Sequence, residues 1–271
     1  MTTFLYIDYG PSPAIAVELK FSLATLMREY RGREPDVVVY TDKPGHYAGL
    51  HPKLGVRVFG DDFARWSRAG LYAHRVKPCV LRDALGAIDG RCVLVDTDTF
   101  FRPGFADALP RAPGVAMDHF ERKDPCPDCA GIRAALPHAG PYAYEPATAR
   151  MFNSGLIAAR RREIPALEDT IALIDAWLDA GVRQFNIEQI ALSEVLRLTD
   201  EAVTEMRPWF EHYYLRSQKQ YMRPRIAAWL ARPEGWRPTR PFLEPSKARV
   251  RWARIVAKLS KRGSDEPLLE A

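Results

Sequence analysis

The sequence lacks a long hydrophobic run and is poor in cysteine. No segment holds the roughly 18 consecutive apolar residues of a membrane-spanning helix. The N-terminal residues Met1–Asp8 carry no basic segment before their apolar stretch, as a secretory signal would. We therefore expect a protein that is neither membrane-spanning nor secreted. Four cysteines are too few for a disulfide scaffold, so a reducing cytoplasm is the expected compartment.

The sequence contains enough apolar residues for an enzyme-sized core, at 47% of 271 residues. Short strand-like runs alternate with helix-period segments, which predicts an α/β protein with a mostly parallel sheet flanked by helices. The expected strands are Phe4–Tyr9, Val37–Tyr40, Val56–Phe59, the run before Asp96, Val115–Asp118 and Gly155–Ala159. The expected helices are Ala14–Tyr30, Leu71–Ala87 with a kink at Pro78, Ile164–Ala180 and Ile187–Leu198. Residues 121–149, rich in Pro, Ala, Gly and charge, are expected to form one long loop.

Positive charge is concentrated near the C-terminus. The net charge is +5, and the segment Lys219–Arg262 holds thirteen Lys or Arg against two acids. We expect an α/β domain over 1–217 and a Pro-rich, basic, helical tail over 218–271 with a final helix at Lys247–Lys261. Such a tail suits anionic lipid headgroups or nucleic acid phosphates, or is a solvated helix face. Because no nucleic-acid-binding motif accompanies the charge, we expect no nucleic acid partner and consider peripheral contact with the inner face of a membrane.

The segment Arg91–Phe101 is a valine-rich run that ends in two acids, Asp96 and Asp98. Acids at i and i+2 of a strand lie on one side of the chain, where oxygen ligands can hold a divalent cation. Ligands of parallel α/β sheets bind beyond the carboxyl ends of the strands, which is where these acids fall. Two carboxylates would repel a diphosphate by about 4 kcal/mol per close pair at an effective dielectric near 20. Bound Mn²⁺ or Mg²⁺ would reverse that effect, whereas the simpler alternative is a pair of acids that cap the following turn.

Short motifs occur in the order found in one enzyme family. Tyr72–Pro78, Val93–Phe100, Phe152–Ile157, Ile187–Ile190 and Glu211–Tyr214 together resemble the motifs of GT-A fold glycosyltransferases similar to glycosyltransferase family 8. The resemblance implies a GT-A, Rossmann-like fold. It also implies transfer of a sugar from a nucleotide diphosphate sugar, UDP-linked, to a glycan or lipid-linked acceptor.

The resemblance, which spans residues 4 to 221, also implies roles for single residues. Asp96 and Asp98 would bind the cation with His212 as third ligand, and an imidazole ligand favours Mn²⁺ over Mg²⁺. The positions implied for the nucleotide sugar are Asp8, Tyr9, Arg75, Lys77, Asp96, Asn153, Ser154 and Lys219. The sequence does not choose between Arg75 and Lys77. The segment that contains Lys219 lacks the family's glycine. Arg216 therefore stays open as a substitute for Lys219.

Glu188 and Gln189 are the candidate catalytic residues, near the anomeric carbon and the acceptor. The resemblance implies retention of configuration, with the Gln189 carbonyl stabilising oxocarbenium charge. An inverting enzyme would need a carboxylate base, for which Glu188 or Asp118 could serve. The alternative for Glu188 and Gln189 is that they form the first turn of an ordinary helix, where an acid complements the helix dipole.

Other functions also fit parts of the sequence. Asp96 and Asp98 match the nucleophile strand of haloacid dehalogenase phosphatases, with Asp175 and Asp179 as downstream metal acids, but three expected strands precede this one. A sugar nucleotidyltransferase would need a glycine-rich basic loop after the first strand, which is lacking. Half a zinc site is conceivable at the Cys126 and Cys129 pair, flanked by His119 and His138, although loop cysteines without a metal are the simpler interpretation.

Overall fold

The computed structural model describes residues 1–123, 126–232, 252, 255 and 256. The strands are β1 (Thr2–Asp8), β2 (Asp36–Thr41), β3 (Leu54–Val58), β4 (Arg91–Val95), β5 (Thr99–Phe101), β6 (Val115–Met117), β7 (Phe120–Lys123), β8 (Arg133–Leu136), β9 (Gly140–Ala143), β10 (Arg150–Phe152), β11 (Leu156–Arg160), β12 (Val203–Glu205) and β13 (Phe210–His212). The α-helices are α1 (Pro13–Glu29), α2 (Asp62–Trp66), α3 (Val76–Ala87), α4 (Phe105–Ala108), α5 (Ile164–Asp179), α6 (Ile187–Leu198) and α7 (Arg216–Leu230).

Seven strands form one sheet in the order β12-β6-β11-β4-β1-β2-β3. Neighbours pair in parallel except around β11, which is antiparallel to both β4 and β6. The expected α/β architecture with a mostly parallel, helix-flanked sheet is therefore confirmed. The carboxyl ends of the parallel strands meet at one edge of this sheet, and that edge carries the candidate site.

The alternation of side chains along the strands divides the core between the two faces of the sheet. Phe4 and Tyr6 of β1 pack with Leu19 and other residues of α1 on one face. Leu5 of β1 packs with Leu81 of α3 on the other face. Because helices cover both faces of the sheet, the sequences of the central strands are continuous apolar runs, as is typical of buried parallel strands.

Pro78 does not kink a helix, which corrects the sequence expectation. The α-helix begins at Val76, after a 3₁₀ turn at Ala73–Arg75, so Pro78 lies in its first turn. The N–H groups of the first turn have no intrahelical partner, so a residue without an N–H is tolerated there.

The expected long loop over residues 121–149 is also wrong, because this segment contains short strands. β8 and β9 form an antiparallel hairpin, and β7 pairs with β10. Strands of four residues are too short for an alternating hydrophobic pattern to stand out from composition, which explains the error.

α7 packs on α1 and belongs to the same body. The Trp229 ring meets Phe21 edge-on at 6.0 Å, and Arg223 donates to the buried Glu18 at 2.9 Å. This helix crosses the expected boundary between residues 217 and 218. The rest of the expected tail lies outside the described residues, apart from the exposed helical positions 252, 255 and 256. Across the described part of the chain, no helix is long and apolar enough to cross a membrane.

Candidate functional site

Two adjacent strands place Asp96 beside the Asn153-Ser154 turn. Asp96 directly follows β4, and Asn153 and Ser154 precede β11, which pairs antiparallel with β4. The Asp96 N–H donates to the carbonyl of Gly155 at 2.9 Å, so the sheet ladder continues into the site.

A short antiparallel ribbon brings His212 to the acids. β5 follows Asp98 at once and pairs with β13, so that His212 lies opposite Thr99. The N–H of Tyr213 then donates to the Asp98 carbonyl at 3.0 Å. This ribbon delivers a histidine from far along the chain to the acidic turn.

Asp96, Asp98 and His212 form a group that could share one cation. Their candidate ligand atoms lie within 4.8 Å of one another, and within the described ranges no other group of three or more His, Cys, Asp or Glu does so. Nε2 of His212 lies 3.2 Å from Asp98 Oδ1 and 3.7 Å from Asp96 Oδ2. Two carboxylates and one imidazole suit Mn²⁺, as well as other divalent cations that accept nitrogen.

Asn153 and Gly155 set the orientation of His212. Nδ1 of His212 lies 2.9 Å from Asn153 Oδ1, which leaves Nε2 facing the acids. Oxygen partners of this kind orient metal-binding histidines in general. A Cβ at Gly155 would collide with the imidazole ring. Glycine is therefore needed at position 155 because a side chain has no space there. A special backbone conformation is not the reason, since φ of Gly155 is not in the left-handed region.

A chain of hydroxyl groups from β5, α1 and β1 holds the acidic turn from inside the core. Thr99 donates to the Asp96 carbonyl at 2.7 Å and lies 2.8 Å from Ser22 Oγ, which in turn lies 3.0 Å from the Tyr6 hydroxyl. These side chains are fully buried. A buried polar chain with its partners satisfied is rigid, so the carboxylates project from a fixed backbone.

Lys77 lies at the centre of the polar contacts on one side of the triad. Its Nζ lies 2.8 Å from Asp96 Oδ2, 3.2 Å from Ser154 Oγ and 3.6 Å from Glu188 Oε1. Burial lowers the pKa of Lys77, but the charges of Asp96 and Glu188 outweigh it and the pKa is raised. Lys77 is therefore held as a cation.

Lys219 approaches the other acid. Its Nζ lies 3.0 Å from Asp98 Oδ2, and both side chains are about nine-tenths buried. Burial acts to raise the pKa of Asp98, but His212 and Lys219 outweigh it and hold the pKa well below its usual value. Of Lys219 and Arg216, the two residues that the sequence left open, Lys219 is the one that reaches Asp98, whereas the Arg216 side chain is exposed at the first residue of α7.

The N-terminal turns of three helices meet at this site. Lys77 lies in the first turn of α3, Glu188 and Gln189 in that of α6, and Lys219 at the start of α7. The helix dipole makes such ends favourable for anions. The site therefore combines a triad that could hold a cation with surroundings suited to a negatively charged ligand.

Glu188 and Gln189 are fixed against the Ser154 turn. Ser154 donates to Glu188 Oε1 at 2.5 Å, and its N–H donates to Gln189 Oε1 at 2.9 Å. The Tyr72 hydroxyl lies 3.0 Å from Glu188 Oε2 and accepts the Glu188 N–H. Tyr72, which sequence reasoning quoted only as part of a motif, thus holds a candidate catalytic side chain.

Asp8 and Tyr9 lie at the same sheet edge, one strand away from Asp96. β1 pairs in parallel with β4, and neighbouring strands are about 5 Å apart. The Asp8 carboxylate accepts from the Tyr47 hydroxyl at 2.5 Å and from Lys43 at 3.2 Å. The exposed Tyr9 ring stacks almost parallel to that of Phe63.

Arg75 contacts different groups from Lys77. Its guanidinium binds both oxygens of Asp175 in α5, at 2.8 and 2.7 Å. Asp179 pairs with Arg68 at 2.7 Å. The acids that a dehalogenase-like site would use thus form ion pairs with arginines, and Lys77 is the cation that reaches Asp96.

Asp118 is fully buried behind His212. Nδ1 of His119 lies 3.0 Å from Asp118 Oδ2, and Nδ1 of His212 lies 3.8 Å from it. Neither approach has hydrogen-bond geometry, and both carboxylate oxygens lack a hydrogen-bond partner. A group in this position can influence His212 but is shielded from a substrate.

The two loop cysteines, Cys126 and Cys129, form a disulfide and are buried. The Cys126 N–H donates to the Tyr144 hydroxyl at 3.0 Å, whereas His138 pairs with Glu168. The pair is therefore a packed element of the segment between β7 and β8, and its sulfur atoms are bonded to each other.

Comparison of the chain with models of protein families and with curated proteins returned no match. The function of the protein is therefore inferred from the geometry and chemistry of the described residues.

Proposed function

We propose that this protein is a metal-dependent glycosyltransferase with a GT-A architecture. It would move a sugar from a nucleotide diphosphate sugar, UDP-linked, to a glycan or lipid-linked acceptor. The observation that carries the proposal is the Asp96, Asp98 and His212 triad, flanked by Lys77 and Lys219 at a sheet edge where three helix N-termini meet. A cation would match the acids of the triad, and a diphosphate would match the two lysines.

The donor set fits a resident divalent cation. The carboxylates of Asp96 and Asp98 and Nε2 of His212 would hold it, and Mn²⁺ suits this mixture better than Mg²⁺ does. A bound cation would offset the charge that develops on a departing diphosphate. Lys77 and Lys219 would bind oxygens of the same diphosphate, each lysine acting as a compact positive charge.

The contacts of the acids favour retention of configuration. Of the two carboxylates considered as bases for an inverting reaction, Asp118 is fully buried and Glu188 is held by Tyr72, Ser154 and Lys77. Gln189 is neutral and adjacent, so its carbonyl could stabilise positive charge at an anomeric carbon without taking a proton. We propose Gln189 and Glu188 as the residues nearest the reacting sugar.

The test is calorimetric binding of UDP with Mn²⁺ and after exhaustive chelation. We expect tight UDP binding only with the cation, together with a Mn²⁺-dependent rise in melting temperature, because a ligand stabilises the state that it binds. The Asp98→Asn variant should lose this effect. The Asp89→Asn variant, whose side chain is 97% exposed, is the matched control. Equally tight UDP binding in chelator would overturn the proposal.

A further inference from the structure

We propose that Lys77 and Lys219 are internal counter-ions that oppose binding of a divalent cation by itself and release the acids when a diphosphate arrives. The inference rests on the proposed function and adds a rule of assembly to it. The cation and the anionic ligand should bind together, each strengthening the other.

Each cation-binding carboxylate already has a lysine partner. Nζ of Lys77 lies 2.8 Å from Asp96 Oδ2, and Nζ of Lys219 lies 3.0 Å from Asp98 Oδ2. These are hydrogen-bonding distances for a charged pair. Asp96 is the most exposed of the four side chains, at 21%, so little water separates the charges.

A cation that enters alone must compete with the lysines for these carboxylates. The lysines would then remain beside a divalent ion in a site largely closed to water, and like charges repel most strongly where the dielectric is low. A diphosphate removes this penalty, because its oxygens can accept from both ammonium groups while the acids turn to the metal. Lysine is suited to such an exchange, since its charge is carried on a flexible four-carbon stem.

The remaining contacts of Lys77 strengthen the inference. Lys77 also reaches Ser154 and the buried Glu188, so its charge compensates two acids in the absence of ligand. Lys219 pairs with Asp98, and its charge also acts on the buried Glu18, whose carboxylate is bound by Arg223. Both lysines therefore have partners within the protein, and these contacts keep the site folded without a diphosphate.

The experiment measures Mn²⁺ binding with and without UDP by titration calorimetry and by the electron paramagnetic resonance signal of free Mn²⁺. For the wild type we expect UDP to raise Mn²⁺ affinity by about 5- to 150-fold, the usual range of coupling between two ligands. In Lys219→Met and Lys77→Met, Mn²⁺ alone should bind at least about fivefold more tightly, and the coupling to UDP should shrink by a similar factor. Activity is not needed for this readout.

The matched control is Lys53→Met, which removes a lysine from a surface pair with Asp36 at 3.2 Å. It should leave both quantities unchanged. Lys219→Arg keeps a positive charge beside Asp98, so it should not show the tighter binding of Mn²⁺ alone that is expected of Lys219→Met. In Lys219→Met, Asp98 keeps its contact with His212. This variant therefore tests the inference even if Lys77→Met does not fold. Mn²⁺ affinity that is unchanged or weaker in folded Lys219→Met protein would overturn the inference. Failure of UDP to bind the wild type with Mn²⁺ would instead count against the proposed function, because the measurement with Mn²⁺ alone is independent of UDP.

Discussion

At the scale of single residues, the site depends on close packing around His212. The imidazole lies over the Cα of Gly155 and is oriented by Asn153. These contacts leave only Nε2 directed at Asp96 and Asp98. The orientation of His212, the third candidate ligand, is therefore imposed by neighbours that would not themselves touch a metal.

We predict that Gly155→Ala weakens Mn²⁺ binding by about 10- to 100-fold, the usual effect of disturbing the groups that orient a metal ligand. The added methyl group must push the imidazole of His212 out of its place. Gly86→Ala is the control, because a Cβ at Gly86 meets open space and its backbone is ordinary helix. Calorimetric titration with Mn²⁺ in the presence of UDP compares the variants, and equal affinity for Gly155→Ala and wild type would contradict the packing explanation.

At the scale of elements, α7 supplies Lys219 and depends on its contact with α1. Arg223 of α7 binds Glu18 at 2.9 Å, and the Glu18 side chain is only 1% exposed. Burial raises the pKa of Glu18 above its ordinary value of 4.5, the nearby charge of Asp98 raises it further, and Lys219 and Arg223 lower it in part. The pair therefore joins two helices through a buried charge.

We predict that Arg223→Met lowers the free energy of unfolding by about 3 kcal/mol near neutral pH, because a buried carboxylate loses its partner. Without Arg223 the folded-state pKa of Glu18 rises further. A carboxyl with a raised pKa adds stability below its unfolded-state pKa and loses it as pH rises through the folded-state pKa. The loss caused by the variant should thus be smallest below pH 4.5 and grow above it.

Urea unfolding at a series of pH values measures this difference. Glu18→Gln combined with Arg223→Met should recover much of the stability at neutral pH, since no buried charge then remains. Arg225→Met, which removes an exposed arginine of the same helix, is the control. A loss of stability that does not change with pH would show that Arg223 acts by packing alone.

At the scale of the whole molecule, the sheet order brings distant segments to one edge. β4 and β11 are neighbours in space although about sixty residues separate them in the chain, and the parallel direction of β1 and β4 places Asp8 on the edge that carries Asp96. Loops at this edge can therefore combine side chains from most of the chain.

The basic C-terminal segment gives a prediction for the molecule as a whole. We propose that it binds anionic membrane surfaces, because each Lys or Arg near such a surface contributes about 1 kcal/mol. Reversing the charge at Arg249, Arg251 and Arg254 should abolish co-sedimentation with vesicles of phosphatidylcholine and phosphatidylglycerol. Reversal at three exposed arginines of the body, Arg111, Arg133 and Arg150, is the control. Binding that survives the tail reversal, or that is equal on phosphatidylcholine alone, would contradict the proposal.

The sequence by itself determined the fold class and the position of the acidic turn. Hydrophobic periodicity is a local property, so the strands at Thr2–Asp8 and Arg91–Val95 and the helix Ile164–Asp179 could be recognised from their own residues. Asp96 and Asp98 followed from the same reasoning, because they come directly after a buried strand.

Only the tertiary structure decided which cations and hydroxyl groups join those acids. Lys77 and Arg75 are two residues apart, and their different partners depend on helix packing across the sheet. The ribbon of β5 and β13 has strands of three residues, too short for a periodic signal, yet it brings His212 to Asp98. Contacts between distant segments depend on how whole elements pack, so the sequence could point to His212 and Lys219 only through the family resemblance.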